Sequence, residues 1–146
     1  MTLRGRLWTC PDCGHKFVTR NLSHSCGRFL IADHFRGKAP NLRRTFRRLV
    51  SLTRMLGPLT VYAQKTRIVF MVRVRFASVV VRKRSLDFAL WLTRRVDHPR
   101  RGRTEVFGPR IFYNHFRLTS PEEVDESLQM LLREAYGIGR RARLLP

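Results

Sequence analysis

Between residues 59 and 118 the chain carries several short apolar segments in succession, with no helical pattern between them. In each segment apolar residues recur at every second position, which is typical of a strand with one buried face. Strands that follow one another without an intervening helix pair as antiparallel neighbours, because a parallel pair needs a long crossover connection. The segments are residues 59–63, 67–74, 76–81, 86–92 and 111–118. With helical patterns before and after them, they predict an α+β fold, an antiparallel sheet of about five strands packed with helices.

The clearest helical pattern covers residues 41–56. Asn41 follows Pro40 as the expected N-cap, and Gly57-Pro58 ends the helix. The apolar face combines Leu42, Phe46, Leu49, Val50, Thr53 and Leu56. The opposite face carries Arg43, Arg44, Arg47, Arg48 and Arg54. The pattern therefore predicts a helix with one packing face and one cationic face.

Two further helices and a loop complete the expected layout. A short helix over residues 29–35 ends at Gly37, and the last helix begins with a capping box of Ser120 and Glu123 and ends at Gly137. The arginine-rich stretch 93–104 shows no core pattern and is expected to be an exposed, mobile loop. The expected domains are residues 1–37, a small head, and residues 38–146, a compact α+β domain.

The excess of positive charge is confined to the larger, N-terminal part of the chain. The whole chain of 146 residues includes 30 Lys and Arg against 10 Asp and Glu, which gives a formal net charge of +20 at pH 7. Residues 1–104 hold 24 of the basic and 4 of the acidic residues, whereas residues 105–146 hold 6 of each. Arg outnumbers Lys 26 to 4, which either phosphate contacts or a GC-rich coding sequence explains. Such a chain attracts polyanions over about 8 Å at physiological salt.

All three cysteines lie near the N-terminus in a pattern typical of metal ligands. Cys10 and Cys13 are separated by two residues, and His24 and Cys26 complete a C-x2-C-x10-H-x-C pattern. Three thiolates and one imidazole make a closed tetrahedral site, which is typical of structural Zn(2+). Zinc binding would supply folding free energy to a segment that is too short to build its own core. Two other histidines are alternatives to His24 as the fourth ligand, His15 and His34.

Several motifs spread along nearly the whole chain match one known family. They are Trp8-x-Cys10-Pro-x-Cys13-Gly, Asn21-x-x-His24-Ser-Cys26, Asp33-His34-Phe35-x-Gly37-Lys38, Gly57-Pro58, Lys65-Thr66-Arg67-Ile68 and the late Asp125 with Glu134-Ala135-Tyr136. In these motifs the chain resembles bacterial zinc-ribbon-like proteins with domain of unknown function 5655. The resemblance implies a small zinc-binding head fused to a compact α+β domain, with Cys10, Cys13, His24 and Cys26 as the ligands. It implies no particular activity.

The favoured functional hypothesis is association with nucleic acid, or another polyanion, through phosphate contacts. The zinc head, the cationic helix face, a half-basic sheet face and the arginine-rich loop would make these contacts together. The residues expected in this role are Arg43, Arg44, Arg47, Arg48, Lys65, Arg67, Arg73, Arg75, Arg100, Arg101 and Arg103. Aromatic residues interleave poorly with them and no base-reading motif occurs, so little sequence specificity is expected.

The alternative hypothesis is a pocket for a small anionic ligand or an acidic protein partner. Lys65, His115 and Arg117 would converge on the anion in such a pocket. Catalysis is less favoured, because the sequence holds no G-x-S-x-G, H-E-x-x-H or P-loop motif. It also shows neither a signal peptide nor a membrane-spanning run, so a cytoplasmic location without a membrane partner is expected.

Overall fold

The structure is a computed structural model that describes residues 29–141 throughout and, before them, the backbone of residues 8–9 and 16–17. The elements follow in chain order. They are β1 Trp8–Thr9, β2 Lys16–Phe17, α1 Ile31–His34, α2 Pro40–Arg54, β3 Thr60–Ala63, β4 Ile68–Met71, β5 Arg75–Val81, β6 Leu86–Leu92, β7 Arg101–Gly108, β8 Ile111–Leu118, a 3-10 helix Pro121–Glu123, and α3 Glu126–Gly139.

Six strands form one antiparallel sheet in the order β3-β4-β5-β6-β8-β7, and β1 pairs with β2 separately. The predicted α+β class and antiparallel sheet are confirmed, with six strands in place of about five. The additional strand is β7, which lies at the edge of the sheet. None of its residues is buried, so its sequence carries no apolar alternation that would have predicted a strand.

The main core lies between one face of the sheet and the helices α2 and α3. Phe70 and Phe88 from the sheet are fully buried, with their ring centroids 6.1 Å apart. Leu42 and Leu49 of α2 and Leu128 of α3 close the same cluster. Burying each of these side chains stabilises the fold by roughly 1.5–3 kcal/mol. No helix within the described residues is long and apolar enough to cross a membrane.

Helix α2 has the two faces that its periodicity predicts, but its N-cap lies two residues earlier than expected. Leu42, Phe46, Leu49 and Thr53 are buried on one side. Ala39 is the N-cap and Pro40 occupies the first turn, where its missing N–H has no partner to lose. The prediction of Asn41 as the N-cap is therefore wrong, and the Asn41 side chain instead accepts a hydrogen bond from Arg44.

Helix α3 begins later and ends later than its sequence predicts. The 3-10 helix follows Ser120, and the Glu123 carboxylate accepts hydrogen bonds from the backbone N–H and hydroxyl of Thr119 at 2.6 and 3.1 Å. Asp125 caps α3 by accepting from the Leu128 backbone N–H at 3.0 Å. The helix continues past Gly137 to Gly139, and Gly139 packs against Phe76, where a Cβ would lie 2.5 Å from that ring.

The expected strand over residues 67–74 is shorter in the structure, and its half-basic face forms only in part, with Arg67 near Tyr113 and Arg75 near Tyr62. Only residues 68–71 are in β4, and all four are buried. The backbone N–H groups of Arg73 and Val74 donate to the Gly139 carbonyl at 2.8 and 3.1 Å, so this part of the chain turns toward α3. On the second sheet face, Val69 and Met71 form a small apolar cluster with Tyr62.

The connection between β6 and β7 crosses the core face of the sheet. Val96 is 2% exposed and its backbone N–H donates to the Asn114 side chain at 3.2 Å. The Asn114 amide group in turn donates to the Arg94 carbonyl at 3.0 Å. The prediction of an exposed loop over residues 93–104 is correct only in part: residues 93–100 form an irregular connection with exposed positions, but Val96 belongs to the core and the last four residues belong to β7.

Candidate anion-binding site

A cleft of about 320 Å³ lies at the end of the sheet where the β5–β6 turn, the start of β7 and the end of β8 meet. Antiparallel pairing brings these three segments together although residues 82 and 117 are far apart in sequence. The lining residues are Arg82, Ser85, Leu86, Asp87, Gly102, Arg103, His115, Phe116 and Arg117. Arginine is the commonest residue type among them, so the cleft is cationic.

A β-bulge in the edge strand opens this cleft. Arg101 pairs with Phe116 and Thr104 pairs with Asn114, so both Gly102 and Arg103 lie opposite the single residue His115. A bulge of this kind bends the strand and redirects its side chains. Opposite this bulge His115 lines the cleft, although its side chain is almost buried and the residue is only 8% exposed.

His115 lies between two carboxylates on the second face of the sheet. Its Nδ1 is 2.9 and 3.1 Å from the two carboxylate oxygens of Asp87 on β6. Its Nε2 is 2.6 Å from Oε1 of Glu105 on β7. Both acids are diagonal neighbours of His115 across the antiparallel ladders, which is the reach that long cross-strand side chains have. The pairing register thus assembles the group from three strands.

The two carboxylates favour the charged imidazolium form of His115. Burial lowers the pKa of His115, and the hydrogen bonds to Asp87 and Glu105 raise it. The hydrogen bonds outweigh the burial, so the pKa of His115 is raised above its ordinary value. With an acceptor at each ring nitrogen, both nitrogens act as donors only when the ring is protonated. Arg82 lies 3.7 Å from Oδ2 of Asp87, and Arg103 lies 3.8 Å from Oε1 of Glu105, so each guanidinium group is near an oxygen that also contacts His115.

This arrangement predicts a pH-dependent contribution of His115 to stability. Because the pKa is raised on folding above the ordinary value of 6.5, the contribution is fully present below that value and is lost as the pH rises through the folded-state pKa. Urea unfolding of the wild type and His115→Gln is expected to show a difference in unfolding free energy that is largest in acid and shrinks toward alkaline pH. A difference of equal size at every pH would contradict the assignment.

An aromatic ladder supports His115 from the same sheet face. The Tyr113 ring lies 5.0 Å from the His115 ring and stacks on Trp91 at 4.3 Å. Tyr113 is hydrogen-bonded to the Ser78 hydroxyl two strands away. This reach is possible because the strand between them carries the small side chain of Ala89, which pairs with Ser78. Burial raises the pKa of Tyr113, so the phenol stays protonated and can donate.

The cationic face of α2 forms a continuous exposed surface, which we call the arginine stripe and define as Arg43, Arg44, Arg47 and Arg48. Two of its members contact other parts of the domain. Arg43 lies 5.3 Å above the Phe35 ring, and Arg48 donates to the Val124 carbonyl at 3.1 Å. Among the described residues, no carboxylate forms an ion pair with any of the four guanidinium groups.

The structure separates Lys65 from His115 and Arg117, so the expected convergence of these three residues is wrong. Lys65 lies in the turn after β3, whereas the other two lie on β8. Three strands lie between β3 and β8, which places the two strands about 19 Å apart at ~4.8 Å per strand. Lys65 instead lines a different hollow with His34 and Lys38.

The remaining sequence-predicted cations are dispersed over the surface. Arg67 lies near the Tyr113 hydroxyl, Arg73 is in the β4–β5 turn, and Arg75 lies 5.9 Å from the centre of the Tyr62 ring. In the segment 93–104, which was expected to be a loop, Arg100 forms an ion pair with Glu123 at 3.1 Å, and Arg101 donates to Thr104 at 3.2 Å. Of the eleven, only Arg103 lines the cleft.

Sequence reasoning missed three charged members of the site, Arg82, Asp87 and Glu105. One signal for Asp87 was present, because it is the single charged residue within the apolar alternation of β6. The place of Glu105 depends on the unpredicted strand β7. Arg82 was recognised as part of a turn, and the hydrogen bond from its N–H to the Ser85 carbonyl at 2.8 Å confirms that turn.

The predicted metal ligands Cys10, Cys13, His24 and Cys26 lie outside the described residues, as does His15. Of the alternative ligands, His34 is described, and its Nε2 lies 2.8 Å from the Gln64 carbonyl oxygen. That contact engages one of its two ring nitrogens. Within the described part of the chain, no group of three or more His, Cys, Asp and Glu side chains is arranged to hold a metal ion.

Fold and site together define a small α+β domain whose six-stranded antiparallel sheet carries helices on one face and a cationic cleft at one end. The profile of the family described as "Domain of unknown function (DUF5655)" matches residues 31–139, and the chain belongs to this family. A search of curated proteins and a search of solved structures each found no match. The predicted resemblance is thus confirmed for this domain.

Proposed function

We propose that the protein associates with nucleic acid mainly through phosphate contacts made by the arginine stripe. The clustering of four exposed guanidinium groups on one face of α2 carries the proposal, together with the lack of a carboxylate partner for any of them among the described residues. Arg36, Arg82, Arg94, Arg100 and Arg103 each have a carboxylate within 4.0 Å. The four guanidinium groups of the stripe have none among the described residues, although their side chains share one face of a rigid helix.

The geometry of the stripe suits a phosphate backbone. Its four residues occupy two successive turns of α2 and span about 7.5 Å along the helix axis. Guanidinium groups present donors in a fork that matches phosphate oxygens. Because the stripe contains no aromatic side chain and only one type of donor, the contacts position the protein on the backbone and read little sequence.

The test is a salt titration of the purified protein with short DNA and RNA fragments, followed by fluorescence anisotropy. Phosphate-dominated binding is expected to weaken steeply between about 50 and 200 mM salt, with a slope near 0.9 per phosphate contact on duplex DNA. Unrelated sequences of equal length are expected to bind with similar affinity. Absence of binding to both polymers at low salt would end this proposal.

We also propose that Cys10, Cys13, His24 and Cys26 bind a structural zinc ion, as in a bacterial, cytoplasmic protein whose thiols stay reduced. The donor set and its spacing support this proposal. So does the pairing of Trp8 with Phe17 in β1 and β2, which brings together the chain on either side of Cys10 and Cys13. Metal analysis is expected to find one zinc per chain and less in Cys26→Ser; a metal-free wild type would refute it.

A further inference from the structure

We infer that the cleft binds a phosphomonoester group, carried either by the end of a nucleic-acid strand or by a free nucleotide. The inference deepens the proposed function and rests on it for the strand-end case. The cleft is a different surface from the arginine stripe, since the stripe lies on α2 and the cleft is formed by the β5–β6 turn, β6, β7 and β8.

The arginines of the cleft have donor groups to spare for a ligand. Arg82 and Arg103 lie 3.7 and 3.8 Å from their carboxylate partners, which is beyond the hydrogen-bond range of about 2.7–3.2 Å. Their side chains are 59% and 65% exposed. Ion pairs of this kind contribute little to stability, so an incoming anion can compete for both guanidinium groups. Arg117 is exposed on the same cleft.

The charge of the cleft matches a dianion. Among the lining residues Arg82, Arg103 and Arg117 supply three positive charges, and Asp87 supplies one negative charge. The difference is two positive charges, and a phosphomonoester carries about −1.5 to −2 at pH 7. Glu105 does not line the cleft, and its carboxylate is hydrogen-bonded to His115.

The size of the cleft suits a small ligand with a single phosphoryl group, such as a mononucleotide or the terminal nucleotide of a strand. A volume of about 320 Å³ is at the lower end of the range for ligand sites. Gly102 at the bulge has no atom within 4 Å of the position of a Cβ, so the edge strand leaves space there. A phosphomonoester, at a chain end or on a mononucleotide, presents more terminal oxygens to these guanidinium groups than a phosphodiester within a strand does.

The experiment compares two single-stranded oligonucleotides of one sequence, one with a 5′-phosphate and one with a 5′-hydroxyl, near 150 mM salt. The phosphorylated strand is expected to bind about 10-fold more tightly, because its terminal phosphate can accept charge-assisted, bidentate hydrogen bonds from the arginines of the cleft. The double variant Arg82→Gln/Arg103→Gln is expected to remove this difference. The matched control is Arg84→Gln, an exposed arginine of the same turn that does not line the cleft, and it is expected to keep the difference.

Further arms use a nucleoside 5′-monophosphate, the matching nucleoside and inorganic phosphate as the probes. Equal binding of the two oligonucleotides, together with no preference for the monophosphate over the nucleoside, would overturn the inference and leave the proposed function standing. Failure of every oligonucleotide to bind, with the monophosphate still bound through Arg82 and Arg103, would overturn the proposed function and support the cleft with a free nucleotide as its ligand. Binding of inorganic phosphate alone would overturn the assignment to a phosphomonoester.

Discussion

Replacing Arg43, Arg44, Arg47 and Arg48 together by glutamine is expected to weaken binding to a short DNA duplex by about 100-fold or more at ~50 mM salt. Each phosphate contact that is lost no longer releases counterions, so the slope of affinity against salt should also fall by up to about 3 to 4. Fluorescence anisotropy across a salt series measures both effects. Glutamine retains good helix propensity, so α2 itself should persist.

A matched control separates the arginine stripe from the general positive charge of the protein. Arg95, Arg110, Arg133 and Arg140 are also exposed and lie outside α2. Changing these four to glutamine removes the same charge and is expected to lower the affinity by no more than about 10-fold, through the longer-range field alone. Equal losses in the two quadruple variants would show that net charge, and not the stripe, accounts for binding.

The substitution Asn114→Ala is expected to destabilise the domain by about 3 kcal/mol. Asn114 is completely buried and connects three chain segments. Its side-chain oxygen accepts from the Val96 N–H and from the Thr104 hydroxyl at 3.2 and 2.9 Å, and its amide nitrogen donates to Arg94. Alanine leaves these partners unpaired, at roughly 1–3 kcal/mol for each group that stays buried. Urea unfolding followed by circular dichroism measures the change.

Thr104→Val is the comparison for this prediction, because it removes only one of the three hydrogen bonds of Asn114, together with the bond that Thr104 accepts from Arg101. The expected cost is about 1.5 kcal/mol, since a single hydrogen bond contributes roughly 0.5–1.5 kcal/mol. If Asn114→Ala proved no more destabilising than Thr104→Val, Asn114 would not hold the β6–β7 connection in place. With the expected difference, the crossover over Val96 is an integral part of the core.

Strands whose alternation is strong could be predicted from the sequence almost to the residue. The predicted segments 76–81, 86–92 and 111–118 correspond to β5, β6 and β8, because every second side chain in them enters one core. The strand β7 could not be predicted in this way. At an edge, hydrogen bonds to one neighbour hold the strand, and neither face needs an apolar row.

The candidate site was only partly visible in the sequence. His115 and Arg117 were recognised as possible anion ligands, but they were grouped with Lys65, which the strand order places far away. The true neighbours of His115 are Asp87 and Glu105. They lie 28 and 10 residues away along the chain, and only the registers of two ladders bring them to the same imidazole.

By itself the sequence determined the α+β class, the amphipathic helix with its arginine stripe and most of the strands, since each follows from the periodicity of neighbouring residues. The tertiary structure decided the cleft. It arises from a bulge that places Gly102 and Arg103 opposite His115 and from the meeting of three segments at one end of the sheet. Register and bulge position depend on pairing between distant residues, for which local periodicity carries no information.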